Sequence, residues 1–232
     1  MKSKYKTHRR RKLSLLLSLS ALLLLITALN AQAQFKVPDE EPAAAAIVAP
    51  APCTRTIKAD VVAIDQAIMF NRLGAMNPNG MIYALRQDVV AIDATKGLVA
   101  GNVRLRSDKR PRPIVLRMNT TDCLRITFTN WLSPSALKDQ PATRSAGIHV
   151  IGMEPSGIGS DGSNVGSNAP SLVPPGGSTI YTLTATREGN NLMYSTGATT
   201  GGEGDGGTLA HGLFGSVNVE AAGAEWYRSQ VT

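Results

Sequence analysis

The sequence is poor in most of the patterns that announce chemistry. No stretch carries a convincing amphipathic helical repeat, which argues against a helical bundle and against alternating strand-helix units. No Ser-His-Asp order and no paired-carboxylate pattern stands out. The chain holds only three histidines and two cysteines, so an imidazole-rich or thiolate-rich metal centre has few residues to draw on. Several short matches fail on context. Gly157 to Gly162 fits G-x-G-x-x-G, yet SNVGSNAPSLVPPGG follows it and offers no helix N-terminus for a pyrophosphate. The run from Gly201 to Gly207 has the look of a calcium-binding glycine repeat, but it occurs once and its aspartate, Asp205, stands one position early. Asp161-Gly162-Ser163-Asn164 lacks the later glutamate of an EF-hand loop. Asn119-Thr120-Thr121 fits a glycosylation pattern and reads more simply as a turn.

An excess of positive charge is present, and it is local. The chain has 24 Lys and Arg against 17 Asp and Glu. Seven of the basic residues (Lys2, Lys4, Lys6, Arg9, Arg10, Arg11 and Lys12) lie in the first twelve positions, ahead of the leucine-rich run Leu13 to Leu29 and the small-x-small site Ala31-Gln32-Ala33. This is the layout of a secretory signal peptide over residues 1–33, with cleavage after Ala33. An uncleaved membrane anchor is the rival reading, since about 17 apolar residues lie at the short end of what spans a bilayer. The arginine run leaves twin-arginine export open. Removal of the segment leaves 17 basic residues against 17 acidic ones. The basic balance is therefore a targeting signal and gives no reason to expect nucleic-acid binding, which calls for a basic patch on the folded domain. The location implied is periplasmic or extracellular.

Residues 34–52, rich in alanine and proline, read as an extended linker. The body of the chain, residues 53–222, reads as strands, and residues 223–232 as a tail or the start of a further linker. Pro174 to Glu220 is the most legible stretch. Ile180, Leu183 and Ala185 stand among Tyr181 and threonines, a β-rich composition. Glu188-Gly189-Asn190-Asn191 supplies turn chemistry and predicts a hairpin with the strand Asn191 to Ser195. From Gly197 to Gly207, six of eleven residues are glycine, so that stretch reads as loop. Leu213, Phe214, Val217 and Val219 then re-enter the sheet. Earlier, Thr56 to Ile64 passes from alternation to a continuous apolar run, as a strand entering a core does. Asn77-Pro78-Asn79-Gly80 is a turn leading to the strand Met81 to Leu85, and Asp93 to Pro113 reads as loop. Ile114 to Met118 and Cys123 to Thr129 are strands joined by the turn Asn119 to Asp122. Ser133 to Ala146 reads as an irregular loop and Gly147 to Gly152 as a short strand. About eight short strands with turns between them predict an all-β, Greek-key β-sandwich.

The ordered set of these motifs resembles the N-terminal plastocyanin-like (cupredoxin-like) domain of bacterial exported multicopper oxidases. The resemblance covers roughly residues 55–220. It is carried by Pro113 to Arg117 with Asp122 to Asn130, by Gly147 to Gly152, by Pro175 to Ser178 with Tyr181, by Tyr194 to Gly197, and by His211 to Gly215. In that family, two motifs of the first domain supply imidazoles to a trinuclear copper cluster at the boundary with the last domain. Only His149 is histidine at the four matching positions here; Ile151, Ser195 and Gly197 take the others. A type 1 site needs a cysteine with a histidine close by, and neither Cys53 nor Cys123 has one. Copper is thus the cofactor the resemblance implies, without a complete ligand set in the chain.

His149 and His211 are the candidate metal ligands, each with a structural role as its alternative: a hydrogen-bonded histidine in an apolar strand, and a loop-capping contact. A shared site would need further ligands from Glu203, Asp205, water or a second chain. Cys53 and Cys123 are a pair that an oxidising compartment permits to form one disulfide, with two buried thiols as the alternative. Three functions stay open: a non-catalytic multicopper-oxidase-type domain whose further domains lie elsewhere, a copper-oxidase subunit completed by a partner chain, and a metal-free binding module on the same scaffold.

Overall fold

In the computed structural model of the chain, the residues described are 53–134, 144–162, 171–197 and 207–226, all within one unit spanning Ala49–Thr232. The expected signal peptide and the whole of the linker lie outside them, as do residues 135–143 of the expected loop, residues 163–170, the glycine-rich residues 198–206 with Glu203 and Asp205, and residues 227–232. Among the described residues thirteen strands occur in order: β1 (Arg55–Asp65), β2 (Ile68–Met69), β3 (Met76–Asn77), β4 (Met81–Leu85), β5 (Val89–Ala91), β6 (Val103–Leu105), β7 (Ile114–Asn119), β8 (Asp122–Asn130), β9 (His149–Val150), β10 (Glu154–Pro155), β11 (Ser178–Thr184), β12 (Gly189–Tyr194) and β13 (Phe214–Glu220). One helical turn, α1 (Gly207–Ala210), precedes β13. Nine strands build two sheets, ordered β10-β11-β8-β1-β4 and β7-β13-β12-β9. The fold is an all-β sandwich, as the strand count implied.

The inward faces follow the two-residue period of a pleated strand. Leu124, Ile126 and Phe128 on β8, Tyr181 and Leu183 on β11, Leu116 and Met118 on β7, and Val217 and Val219 on β13 meet in one interior. Phe128 sits between two tyrosines, its ring centroid 6.1 Å from those of both Tyr83 and Tyr181. The apolar run of β1 has a second cause. Val61 and Ala63 face this interior, whereas Val62 and Ile64 face a smaller cluster with Ile82, Val89, Val103 and Trp131 under the β5-β6 ribbon. A strand covered on both faces loses its alternation.

Several sequence expectations need correction. The turn chemistry at Glu188 to Asn191 does not close a hairpin, because β11 pairs with β8 and β10 while β12 pairs with β13 and β9. The chain crosses between sheets there, and Gly189 and Asn190 already belong to β12. On β11 Leu183 is buried as its apolar character implied, and so is Ala185 just beyond the strand, but Ile180 is 43% exposed and Tyr181 takes the buried position on their face. Phe214 is also partly exposed, and Leu213 takes the core position. The segment Asp93 to Pro113 contains the short strand β6, and only His149–Val150 is strand within Gly147 to Gly152.

The link from β7 to β8 is a sheet crossing as well. β7 runs parallel to β13, and β8 runs parallel to β1. Thr121 makes the reversal at φ 74°, a left-handed conformation costly for a β-branched residue. Around it, the Asp122 carboxylate accepts the Asn119 N–H at 2.9 Å and an Arg55 guanidinium N–H at 2.7 Å. Burial alone would push the Asp122 carboxyl up; the Arg55 guanidinium and the Asn119 N–H outweigh it and hold the carboxyl below its ordinary value. The Thr54 and Thr120 N–H groups donate to the Thr121 and Glu220 carbonyls. Beside this corner Cys53 and Cys123 form a disulfide, Cα atoms 5.4 Å apart and 70 residues apart in sequence.

Replacing both cysteines with serine is expected to lower stability by about 4 kcal/mol if the lost constraint on the unfolded chain dominates. That corresponds to a drop of roughly 10 °C in melting temperature for a domain this size. Thermal melting of the oxidised wild type and the double variant checks it, and superimposable melts would show that the bridge constrains nothing.

Candidate functional site

His149 lies on β9, at the edge of the second sheet, where its neighbour on β12 is Tyr194. Its ring meets Tyr194 edge to face at 5.4 Å between centroids. Nδ1 lies 2.8 Å from the Asp161 carbonyl oxygen and 3.4 Å from the Asp161 carboxylate. A carbonyl oxygen only accepts, so the hydrogen-bond network assigns the proton of the neutral ring to Nδ1 and leaves the lone pair on Nε2. The side chain is 29% exposed. This is the arrangement in which an imidazole can coordinate through Nε2, its far nitrogen held by a backbone carbonyl.

His211 follows α1 and has the opposite tautomer. The Asn79 N–H donates to Asn77 Oδ1 at 3.0 Å, which fixes the Asn77 amide with its NH2 towards His211. That NH2 lies 3.3 Å from His211 Nδ1. Nδ1 must therefore accept, and Nε2 carries the proton. Nε2 is buried and has no hydrogen-bond partner among the described residues, and in this tautomer neither ring nitrogen presents a free lone pair to a metal. The backbone of His211 serves the fold, its carbonyl accepting the Met81 N–H at 2.8 Å. The asparagine was legible only as a turn residue; its part in choosing the tautomer depends on the 134-residue separation that the fold closes.

The other positions matched to the copper motifs hold no imidazole. Ser195 is fully buried, and its hydroxyl oxygen accepts the N–H groups of Gly147 and Gly197 at 3.4 and 3.3 Å. Ile151 is 51% exposed. His149 meets Asp161 and Tyr194, whereas His211 meets Asn77, Met81 and Gly207. Among the described residues no group of three or more His, Cys, Asp or Glu is placed to hold a metal ion. Asp161 was read from the sequence only as part of a failed EF-hand match; here its backbone carbonyl orients His149.

Two phenols support this region from the core. Tyr83 donates to the Gly147 carbonyl and Tyr181 to the Ser171 carbonyl. They tie the segments on either side of residues 163–170 to the first sheet. Gly147 has no room for a side chain there, since a Cβ would stand 2.9 Å from the Tyr181 hydroxyl. Burial, with the neighbouring Tyr181, pushes the Tyr83 phenol well up, and the Ser195 hydroxyl offsets only part of this. Burial likewise pushes Tyr181 up against a smaller opposing backbone hydrogen bond at Ile148.

No protein-family model matches the chain, and no curated protein matches its sequence. Solved structures do resemble it in fold. A multi-copper oxidase from Pseudomonas thermotolerans is 19% identical over 75% of this chain and 32% of its own, with a TM-score of 0.43. A second multicopper oxidase is 23% identical over 72% of this chain and 42% of its own, with a TM-score of 0.43. A copper nitrite reductase from Nitrosomonas europaea is 14% identical over 72% and 42%, with a TM-score of 0.40. The chain thus spans about a third to two-fifths of the structures it resembles.

Two outcomes follow from the geometry. Raised folded-state values for Tyr83 and Tyr181 mean that the native state keeps protons the unfolded chain sheds near pH 10. Their contribution to stability is complete below about pH 10 and is lost as pH rises beyond it towards the folded values. Alkaline titration followed by tyrosinate absorbance and circular dichroism should show these two phenols ionising only with unfolding, and Tyr181→Phe should flatten the alkaline limb. Ionisation of every tyrosine in the intact fold would contradict this. For His211, long-range nitrogen-proton NMR should report the Nε2–H tautomer in the wild type and its loss of preference in Asn77→Ala; a wild-type Nδ1–H signal would overturn the assignment.

Proposed function

We propose that residues 53–222 are an exported, plastocyanin-like domain of multicopper-oxidase type that performs no copper oxidation by itself. It would serve as a divergent first domain beside others that carry the copper ligands. The observation that carries this reading is chemical. Where the resemblance calls for four imidazoles, this chain offers His149 alone, and the buried Ser195 has its oxygen engaged by backbone N–H groups. A hydroxyl already used as an acceptor, an exposed isoleucine and a glycine are a donor set that does not fit a trinuclear copper cluster. The type 1 site is equally unsupported, because Cys53 and Cys123 are joined to each other. No reaction step is derived through copper for this chain.

One observation favours a second reading, in which the chain is a subunit lending a ligand to a site completed by another polypeptide. His149 keeps its Nε2 lone pair, with Nδ1 anchored on Asp161. Copper titration of the purified chain separates the two. On the first reading it shows no stoichiometric copper uptake, no blue absorption, and no oxidation of a phenol or of Mn(II). Stoichiometric binding that His149→Ala abolishes would replace it with the second, and a blue chain that consumes dioxygen would overturn both.

A further inference from the structure

The sandwich is open along one side, and that side carries an unneutralised positive charge. β4 and β7 are the edge strands there: among the described residues β4 pairs only with β1, and β7 only with β13. β4 is also shorter than its neighbour, so Arg55–Asp60 of β1 pair with β8 alone. Two clefts of about 780 and 480 Å³ lie along this seam, and Leu85 and Val115 line both, making one continuous trough. Its apolar lining includes Ile57, Ala59, Leu116, Leu124 and Trp226.

Charge along the trough is lopsided. Lys58, Arg86, Lys109, Arg110, Arg112 and Arg117 line it, against Asp60, Asp88 and Asp108. Lys109 pairs with Asp88, Arg117 with Glu220, and Asp108 with Arg106. Among the described residues, Lys58, Arg86, Arg110 and Arg112 have no carboxylate partner; Arg86 lies over the Trp131 ring at 5.1 Å. An unpaired strand edge accepts another strand through its backbone groups, while flanking pockets and charges choose which one. A second copy of this chain would set one positively charged trough against another, which like-charge repulsion disfavours.

We propose that this trough is the docking site for an extended, acidic segment of another protein, which adds as a strand to the free edge of β7 and neutralises the arginines beside it. The interaction needs no metal and stands apart from the copper reading.

The test uses the full chain and two fluorescein-labelled decamers, one alternating valine with glutamate and the other valine with lysine. Fluorescence anisotropy should show binding of the acidic decamer alone, weakening as ionic strength rises. Reversing the exposed pair, Arg110→Glu with Arg112→Glu, should weaken it by about tenfold or more, and circular dichroism should show the fold unchanged. Hydrogen exchange should show β7 amides gaining protection when the acidic decamer is added. Equal binding of both decamers, indifference to the charge reversal, or protection away from β7 would overturn the proposal. So would β7 amides already protected in the free monomer, meaning that the chain covers its own edge, or a dimer in sedimentation that protects them, meaning that a second copy does.

Discussion

The structure depends on the chain's ability to leave one sheet and start the facing one with only Thr120 and Thr121 between β7 and β8. Adjacent strands in sequence usually pair; these two face each other across the core instead. Such a corner exposes backbone donors that would have been satisfied in a hairpin, and it forces Thr121 into a left-handed conformation. Asp122 answers the first problem, accepting from Asn119 and drawing Arg55 over from the start of β1. Because β1 is held beside β8 from its first residue, the parallel pairing of β1 with β8 begins at the corner where that of β7 with β13 ends. The disulfide reinforces the same junction, tying Cys53 ahead of β1 to Cys123 at the start of β8.

Much of this was readable before any coordinates. The strands β4, β7 and β8 fall within a residue of where their apolar patterns end, because turn residues bound them sharply. The unbroken apolar run of β1 was also legible, and two separate clusters, one on each face, explain it. Connectivity was not. Asn and Gly at residues 188–191 announce a reversal of direction, but a reversal within a sheet and a crossing between sheets use the same local chemistry. Which occurs is decided by partners distant in sequence, as β8 is for β11 and β13 is for β12. The places of Ile180 and Tyr181 on β11 were hidden for a related reason. Tyrosine has a polar hydroxyl and looks like the solvent-facing residue beside isoleucine, yet Tyr181 finds a carbonyl acceptor in the interior and its ring fills the core.

The candidate site divides along the same line. That the chain has too few imidazoles for a trinuclear cluster is a matter of composition, and sequence alone carries it. That the two remaining histidines differ in kind is a matter of contacts. His149 and His211 look equivalent on the page; one donates from Nδ1 to a carbonyl, and the other accepts at Nδ1 from an amide. The difference comes from Asp161 and Asn77, neither of which has a sequence signature for that role. A histidine count therefore overstates the coordinating capacity of this fold by a factor that only the second partner of each ring reveals.

The buried polar groups beside His149 are informative about what this scaffold requires. Ser195 is fully buried, and its hydroxyl gathers two backbone N–H groups that a glycine or alanine would leave unpaired in the core. Tyr83 lies against the same hydroxyl and holds Gly147 from the other side. A metal site is itself a cross-link between strands, since its ligands fix the elements that carry them. Here hydrogen bonds among Tyr83, Gly147, Ser195 and Gly197 supply a cross-link of that kind through hydroxyl and backbone groups, and so hold this end of the sandwich together.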